Sequence, residues 1–292
     1  GLLRRQRQMC IRDRCNINDE EVISELIKSN SFDLLMHFAG FIQVEESVKY
    51  PQKYFDNNTE NATKLFETCK NNGLNKIVFS STAAAYGSVN ENKLIDENTN
   101  LNPQNPYAES KIKTENFLFE NKHDYKFIIL RYFNVAGADK KLRSGQISKR
   151  STHLIKILSE VVVGKRDHIE IFGNDYNTPD GTAIRDYIHV SDLADIHLEV
   201  AKYLLESSES NLFNCGYGNG FSVLDVINTA NKISEDKIDY KFSNRRDGDV
   251  EQLIADTSKI LKHIDWRPKY NDLSEIINSS IKWEEKINES NT

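Results

Sequence analysis

Apolar residues along the first half of this chain follow two patterns that take turns. In DEEVISELIKS (19–29), Val22, Ile23, Leu26 and Ile27 recur at helical spacing, with Asp19 and Glu20 where a helix dipole favours negative charge. Phe32-Asp-Leu-Leu-Met-His-Phe-Ala-Gly40 is instead a short apolar run closed by glycine, which predicts a buried parallel strand with a tight turn at its C-terminal end. Residues 45–72 predict helix broken near Pro51, with Phe55, Leu65 and Phe66 in the core. Ile77-Val-Phe-Ser80 predicts a second strand, residues 107–121 a third helix, and Phe127-Ile-Ile-Leu-Arg-Tyr132 a third strand. The strand runs are continuously apolar rather than alternating, as in a sheet covered on both faces. The fold class predicted is therefore α/β, a doubly wound parallel sheet. Ligands of such sheets bind at the C-terminal strand ends, where Gly40, Ser80 to Thr82 and Asn134 fall.

The pattern loosens beyond residue 140 and predicts a smaller α+β unit. Residues 139–150 are polar and basic and read as a mobile loop. A helix at 152–163, a strand at Ile169–Phe172, a turn-rich loop at 173–185, a strand at Tyr187–Val190 and a helix at 192–202 come next. Leu212 to Cys215 precede Gly216-Tyr-Gly-Asn-Gly220; helices are predicted at 223–233 and 272–287, the last with Leu273, Ile276, Ile277 and Ile281 on one face. The sheet unit is expected to comprise 15–140, rejoined by 186–206, and the smaller unit 141–185 and 207–292.

One stretch carries candidate chemistry. Tyr107 and Lys111 are four apart, so on a helix they share a face. Phenol is a poor base at neutral pH, and a nearby ammonium favours its ionised form. Tyr-x-x-x-Lys is thus a workable proton-transfer pair, although any surface helix can carry it. GYGNG at 216–220 offers Phe221 where a dinucleotide fingerprint needs glycine, and reads as a plain loop; no Gly-x-Gly-x-x-Gly occurs elsewhere. His37 reads as a satisfied core histidine, and no His or Cys partner stands at metal spacing, so no metal site is expected. Arg245-Arg246 and Arg185 suit either a solvated charge cluster or a diphosphate clamp.

A net charge of −6 argues against a nucleic-acid surface, and no apolar run approaches the about 18 residues of a membrane span. Cys10, Cys15, Cys69 and Cys215 are too sparse for a disulfide framework, which points to a reducing, cytoplasmic setting. Residues 1–14 (GLLRRQRQMCIRDR) hold five arginines and no lysine, whereas lysine outnumbers arginine from Cys15 onward. They resemble translated sequencing-adapter sequence, so a foreign segment is expected there, with the protein's own start cut off.

HFAG (37–40), VEESV (44–48), NN (57–58), FSSTAAAYG (79–87), PYAESK (106–111), RYFNVAGA (131–138), IFGNDYNTPDGTAIRDYIHVSDLAD (171–195) and RRDGD (245–249) together resemble the UDP-glucose 4-epimerase family. This family sits in the extended short-chain dehydrogenase/reductase superfamily, and the resemblance runs from about Cys15 to the C-terminus. It implies a Rossmann-like NAD-binding unit beside a UDP-sugar-binding unit, a homodimer through helices 45–72 and 107–121, and interconversion of UDP-glucose and UDP-galactose through a 4-keto sugar. Catalytic roles are implied for Tyr107 as base, Lys111 and Thr82. Cofactor contacts are implied for Asn16, Ile17, Phe38, Ala39, Gly40, Asn58, Ser80, Tyr107, Lys111 and Phe133. Substrate contacts are implied for Thr82, Tyr107, Asn134, His153, Leu154, Phe172, Arg185, Arg246, Asp249 and Leu253.

The chain departs from the family pattern in places. The family's first strand and Gly-rich turn are missing, so this chain is expected to bind NAD poorly and to lack activity until its start is restored. Asn16 stands where an Asp often meets adenine, and Ile42 where some members carry Lys. Leu253 is intermediate between the Tyr and the small residues that gate N-acetyl sugars in the family, which leaves UDP-N-acetylglucosamine open as a substrate. A nucleotide-sugar 4,6-dehydratase would carry an Asp-Glu pair after Thr82; Ala83 and Ala84 stand there instead.

Overall fold

A computed structural model describes residues 14–88, 94–148, 151–234, 237–246 and 249–289. Most of the arginine-rich start, the end of the 139–150 loop, and Asp247 and Gly248 of RRDGD lie outside the described residues.

The first helix, α1 (Glu20–Ser29), starts where the charge pattern puts it: the Asp19 carboxylate accepts the Val22 amide at 3.2 Å. Strands β1 (Leu35–His37), β2 (Lys76–Thr82) and β3 (Lys126–Tyr132) form as predicted. With β7 (Asn211–Cys215) they make one parallel sheet in the order β1-β2-β3-β7. The continuous apolar runs now have their reason. Ile77, Phe79, Phe127 and Ile129 pack on one side with Ala62, Leu65, Phe66 and Leu118. Val78, Ile128, Leu130 and Phe213 pack on the other with Leu193, Ile196, Val200 and Leu204. Successive side chains face opposite sides of a strand, so a sheet covered twice needs apolar residues at every position. Each such fully buried side chain contributes about 1.5–3 kcal/mol.

The covering helices are α4 (Asn61–Asn71) and α5 (Pro106–Glu120) on the first face and α7 (Val190–Ser207) on the second. The break at Pro51 is present: α2 (Val44–Lys49) ends, Tyr50 takes a non-helical conformation, and α3 (Pro51–Tyr54) begins with proline at its first position. A π-helical stretch, Phe55–Glu60, then joins α3 to α4, and such bulges recur at functional sites.

The remaining elements build two smaller sheets. Strands β4 (Asn134–Ala136), β6 (Ile184–His189) and β10 (Gln252–Leu253) form a parallel set in the order β10-β6-β4, with β8 (Gly220–Ser222) antiparallel on β6. Strand β5 (Ile169–Phe172) pairs with β9 (Tyr240–Ser243). Helices α6 (Leu154–Val162), α8 (Val223–Ser234) and α10 (Leu273–Glu289) pack together beside them. A short helix, α9 (Ser258–His263), packs against β7. The expected unit boundary moves at β7: residues 211–215, assigned to the smaller unit, supply the main sheet's fourth strand. Their apolar run Leu212–Phe213 is what a strand buried on both faces requires.

Candidate active site

The C-terminal ends of β1 and β2 and the first turns of α5 meet at one place. Helix α5 is started by Asn105, whose side-chain oxygen accepts the Ala108 amide at 2.9 Å, with Pro106 at the first helical position. That start puts Tyr107 and Lys111 on the face turned to β2. The Lys111 ammonium is buried and donates to the Ser80 carbonyl at 2.9 Å, 5.0 Å from the Phe79 ring centre. Burial pulls its pKa down to about 8, against the opposing charge of Glu115.

Thr82 ends β2 and accepts the Ala84 amide at 3.2 Å, capping a 3₁₀ turn over Ala83–Tyr86. Its hydroxyl lies on the side of Tyr107 and favours the ionised phenol there. Burial holds the Tyr107 phenol above its ordinary value, and Thr82 works the other way. The expectation that Lys111 directly lowers this pKa is not what the resting site displays. The ammonium is turned to Ser80, and Thr82 is the group that favours the phenolate.

Asn58, on the π-helical stretch, clamps the loop after β1. Its side-chain oxygen accepts the Phe41 amide at 2.8 Å, and its amide donates to the Phe41 carbonyl at 3.0 Å and the Ser110 hydroxyl at 3.1 Å. Gly40 leaves this clamp little room: a Cβ there would stand 3.1 Å from Asn58 Oδ1 and 3.3 Å from Lys111 Nζ, so both side chains would have to give way slightly. Ser80 donates to the His37 carbonyl at 2.8 Å and so joins the two strand ends. Phe38 and Ala39 are exposed beyond β1, while Phe133 is buried and donates its amide to the Cys215 carbonyl at 3.0 Å. Asn16 and Ile17 lie ahead of α1, Asn16 exposed and Ile17 packed under the sheet's first face. His37 is buried as expected but not satisfied. Its Nε2 has no hydrogen-bond partner among the described residues, and burial drops its pKa to about 3, so the ring is neutral.

The candidate substrate residues line the smaller sheets. Arg185 on β6 donates to Asp249 at 2.8 Å and to the Ile184 carbonyl at 2.9 Å, and Leu253 pairs beside it on β10. The Arg246 guanidinium lies over the Phe172 ring at 3.7 Å and stands 3.6 Å from a carboxylate oxygen of Glu45 on α2. Asn134 opens β4 and is exposed. His153 and Leu154 form the start of α6. The glycine loop at 216–220 gives its amides to protein: Tyr217 and Gly218 both donate at 2.9 Å to the Asp186 carboxylate, as does Ala255 at 3.2 Å. Those donors are the ones a phosphate would need, so the plain-loop reading stands.

Four residues around the site were not singled out from sequence. Tyr132 donates to His197 Nε2 at 2.7 Å, His197 Nδ1 donates to the Leu193 carbonyl at 2.8 Å, and the His197 ring lies 4.9 Å from Phe38. Glu115 and Arg131 form a buried ion pair below the site. Glu115 had a usable signal, since it stands one helical turn beyond Lys111 on the same face; His197 had none. Among the described residues no cluster could hold a metal ion, and no helix is long and apolar enough to cross a membrane.

Residues 4–279 match the family described as GDP-mannose 4,6 dehydratase, a match that begins ahead of Cys15. The chain is 44% identical over 277 residues to the UDP-glucose 4-epimerase of Azospirillum brasilense, covering 94% of this chain and 79% of that protein. This chain belongs to that family, on its UDP-glucose 4-epimerase branch. Among solved structures, the UDP-Glc/GlcNAc 4-epimerase of Campylobacter jejuni is 45% identical with a TM-score of 0.79, covering 93% of this chain and 83% of that one. The UDP-glucose 4-epimerase of Bifidobacterium longum, solved with NAD+ and UDP, is 35% identical with a TM-score of 0.88, covering 94% and 83%. Within the epimerase family, the absence of a carboxylate at Ala83 and Ala84 is chemically sensible. Elimination of water from a sugar needs an acid to protonate the leaving hydroxyl, and epimerisation does not.

Proposed function

We infer that this chain interconverts UDP-glucose and UDP-galactose, using bound NAD and the Tyr107–Thr82–Lys111 group. The observation that carries this reading is the hydroxyl pair of Tyr107 and Thr82 beside a buried ammonium, with no acid next in the chain. The residues fit the cofactor. An ammonium has three donors and Lys111 gives one to Ser80, which leaves donors for ribose hydroxyls. Gly40 keeps the floor between Asn58 and Lys111 free of a side chain. Phe38, Ala39, Asn58, Ser80 and Phe133 would line that floor, with Asn16 and Ile17 further along β1's side. The chemistry that nicotinamide supplies when bound is reversible hydride transfer at sugar C4.

The chain's own residues move the proton. Thr82 donates to the Tyr107 oxygen and favours the phenolate, which takes the sugar 4-hydroxyl proton as C4 becomes a ketone. The same phenol returns that proton once the ketone has presented its other face. Lys111 keeps positive charge beneath the pair. Arg185 and Arg246 suit the diphosphate, Arg246 with its guanidinium stacked on Phe172. Asn134, His153, Leu154, Asp249 and Leu253 would complete the UDP-sugar contacts. The test is Tyr107→Phe, expected to lower kcat for UDP-galactose by about 10²–10⁴-fold, the scale of a general base, while NAD stays bound. Unchanged turnover would refute the assigned base.

A second substrate is favoured by one residue. Leu253 is buried beside Arg185 and is smaller than tyrosine, and the Campylobacter relative is named for both UDP-Glc and GlcNAc. UDP-N-acetylglucosamine turnover that Leu253→Tyr abolishes, with UDP-glucose turnover kept, is the expected outcome.

A homodimer fits the exposed Val44 and Val48 on α2 and Phe119 at the end of α5, at 39%, 63% and 43% exposure. Sedimentation should give twice the chain mass, and Val48→Asp should give a monomer. The three described cysteines are unpaired, in keeping with a reducing cytoplasm.

A further inference from the structure

We propose that Glu115 is a positioning residue of the proton-transfer site: its carboxylate keeps Lys111 charged and fixes the strand end that carries Thr82. The proposal rests on the epimerase reading above. Glu115 lies one turn beyond Lys111 and two beyond Tyr107 on α5, so the three share a face. Its side chain is 1% exposed. The carboxylate receives the Ser81 hydroxyl, Arg131 Nε at 3.0 Å and Arg131 Nη2 at 2.5 Å. Ser81 lies between Ser80, whose carbonyl holds Lys111, and Thr82, which favours the ionised form of Tyr107. One carboxylate thus ties α5 to β2 and β3 directly behind the reacting groups.

The charges around Lys111 give Glu115 its second role. On β1 the neutral His37 ring faces it; on β2 the Phe79 ring and the Ser80 carbonyl; on the π-helical stretch Asn58; on α5 Tyr107 and Glu115. Glu115 is the one carboxylate in this set, and Arg131 on β3 is engaged upon it. Burial disfavours the ammonium, and Glu115 opposes burial. At rest Lys111 is turned to Ser80, but once Tyr107 ionises Lys111 is the cation one turn away on the same helix face, so Glu115 acts on the base through a second residue.

A buried ion pair that served the fold alone would be replaceable by uncharged residues without effect on the site. Two variants separate the roles. In Glu115→Gln/Arg131→Met both charges go together, which avoids stranding the guanidinium. In Arg131→Met the carboxylate stays and its charge is unshared. The first readout needs neither cofactor nor substrate: carbon NMR of labelled lysine, with the Lys111 signal assigned by its loss in Lys111→Met. The double variant should move the Lys111 titration midpoint down by about one pH unit, and Arg131→Met should move it up. Glu115→Asp, which keeps the charge, should stay near wild type.

The second readout is the pH profile for UDP-galactose. The rising limb of kcat should move to higher pH in the double variant, with KM changed less than twofold and kcat at neutral pH down about tenfold. Because the two variants are expected to shift in opposite directions, loss of folding in either leaves the other decisive. A Lys111 midpoint unmoved in whichever variant folds overturns the proposal. Wild-type protein that holds NAD yet does not turn over UDP-galactose would instead overturn the epimerase reading, and the midpoint comparison would still stand.

Discussion

Single residues decide the chemistry here, and each can be tested alone. The Tyr107 phenol is held above its ordinary pKa by burial, so the base is made by its neighbours rather than present at rest. Thr82→Val should therefore lower kcat by about 10- to 100-fold with little change in KM, read from UDP-galactose turnover, since one hydrogen bond to the phenolate is removed. His37 governs stability rather than catalysis. Folded, it takes a proton only near pH 3; its ordinary value is 6.5. The unfolded chain binds more protons between those values, so stability falls as pH drops through 6.5. At pH 5 this term costs about 2 kcal/mol. Asp186, pushed up to about 6 by burial, works oppositely below that pH. His37→Phe, which keeps the packing on Phe66 and Phe79, should be less acid-sensitive than wild type in urea melts at pH 5. Equal pH dependence in the two proteins would refute the assignment.

At the scale of elements, the strands and helices that position the site were legible because each carries its own periodicity. Leu35–His37, Lys76–Thr82 and Lys126–Tyr132 are strands where continuous apolar runs predicted them, and α5 begins within a residue of its predicted start. The reason is local: Asn105 and Pro106 are cap residues in the sequence itself. Asn105→Ala should destabilise the protein by about 1 kcal/mol in chemical denaturation and loosen the Tyr107 turn. What stayed hidden depends on contacts between distant segments. The π-helical stretch that aims Asn58 at Gly40 has no sequence signature, and β4, β8 and β10 are too short for any period to show. The turning of Lys111 towards Ser80 is a tertiary choice that i,i+4 spacing cannot specify.

Across the whole molecule, the sheet brings together residues that are far apart in the sequence. Two strand ends, a helix start and an Asn clamp form the proton-transfer group, while β6, β10 and the Arg246–Phe172 stack carry the groups suited to a UDP-sugar. The resemblance seen in the motifs extended to fold and family, and the chain spans 79–84% of the curated relatives it matches. The unit boundary was the misplaced feature, because β7 joins the main sheet from a segment whose neighbours belong elsewhere. In the proposed reaction a hydride is taken from C4 and returned to the same carbon on its other face, with Tyr107 handling only the proton. Conversion of C4-deuterated UDP-galactose by the protein with NAD tests it directly. This mechanism predicts UDP-glucose that keeps the deuterium at C4. Loss of the label to water, or a 4-keto-6-deoxy product, would contradict it.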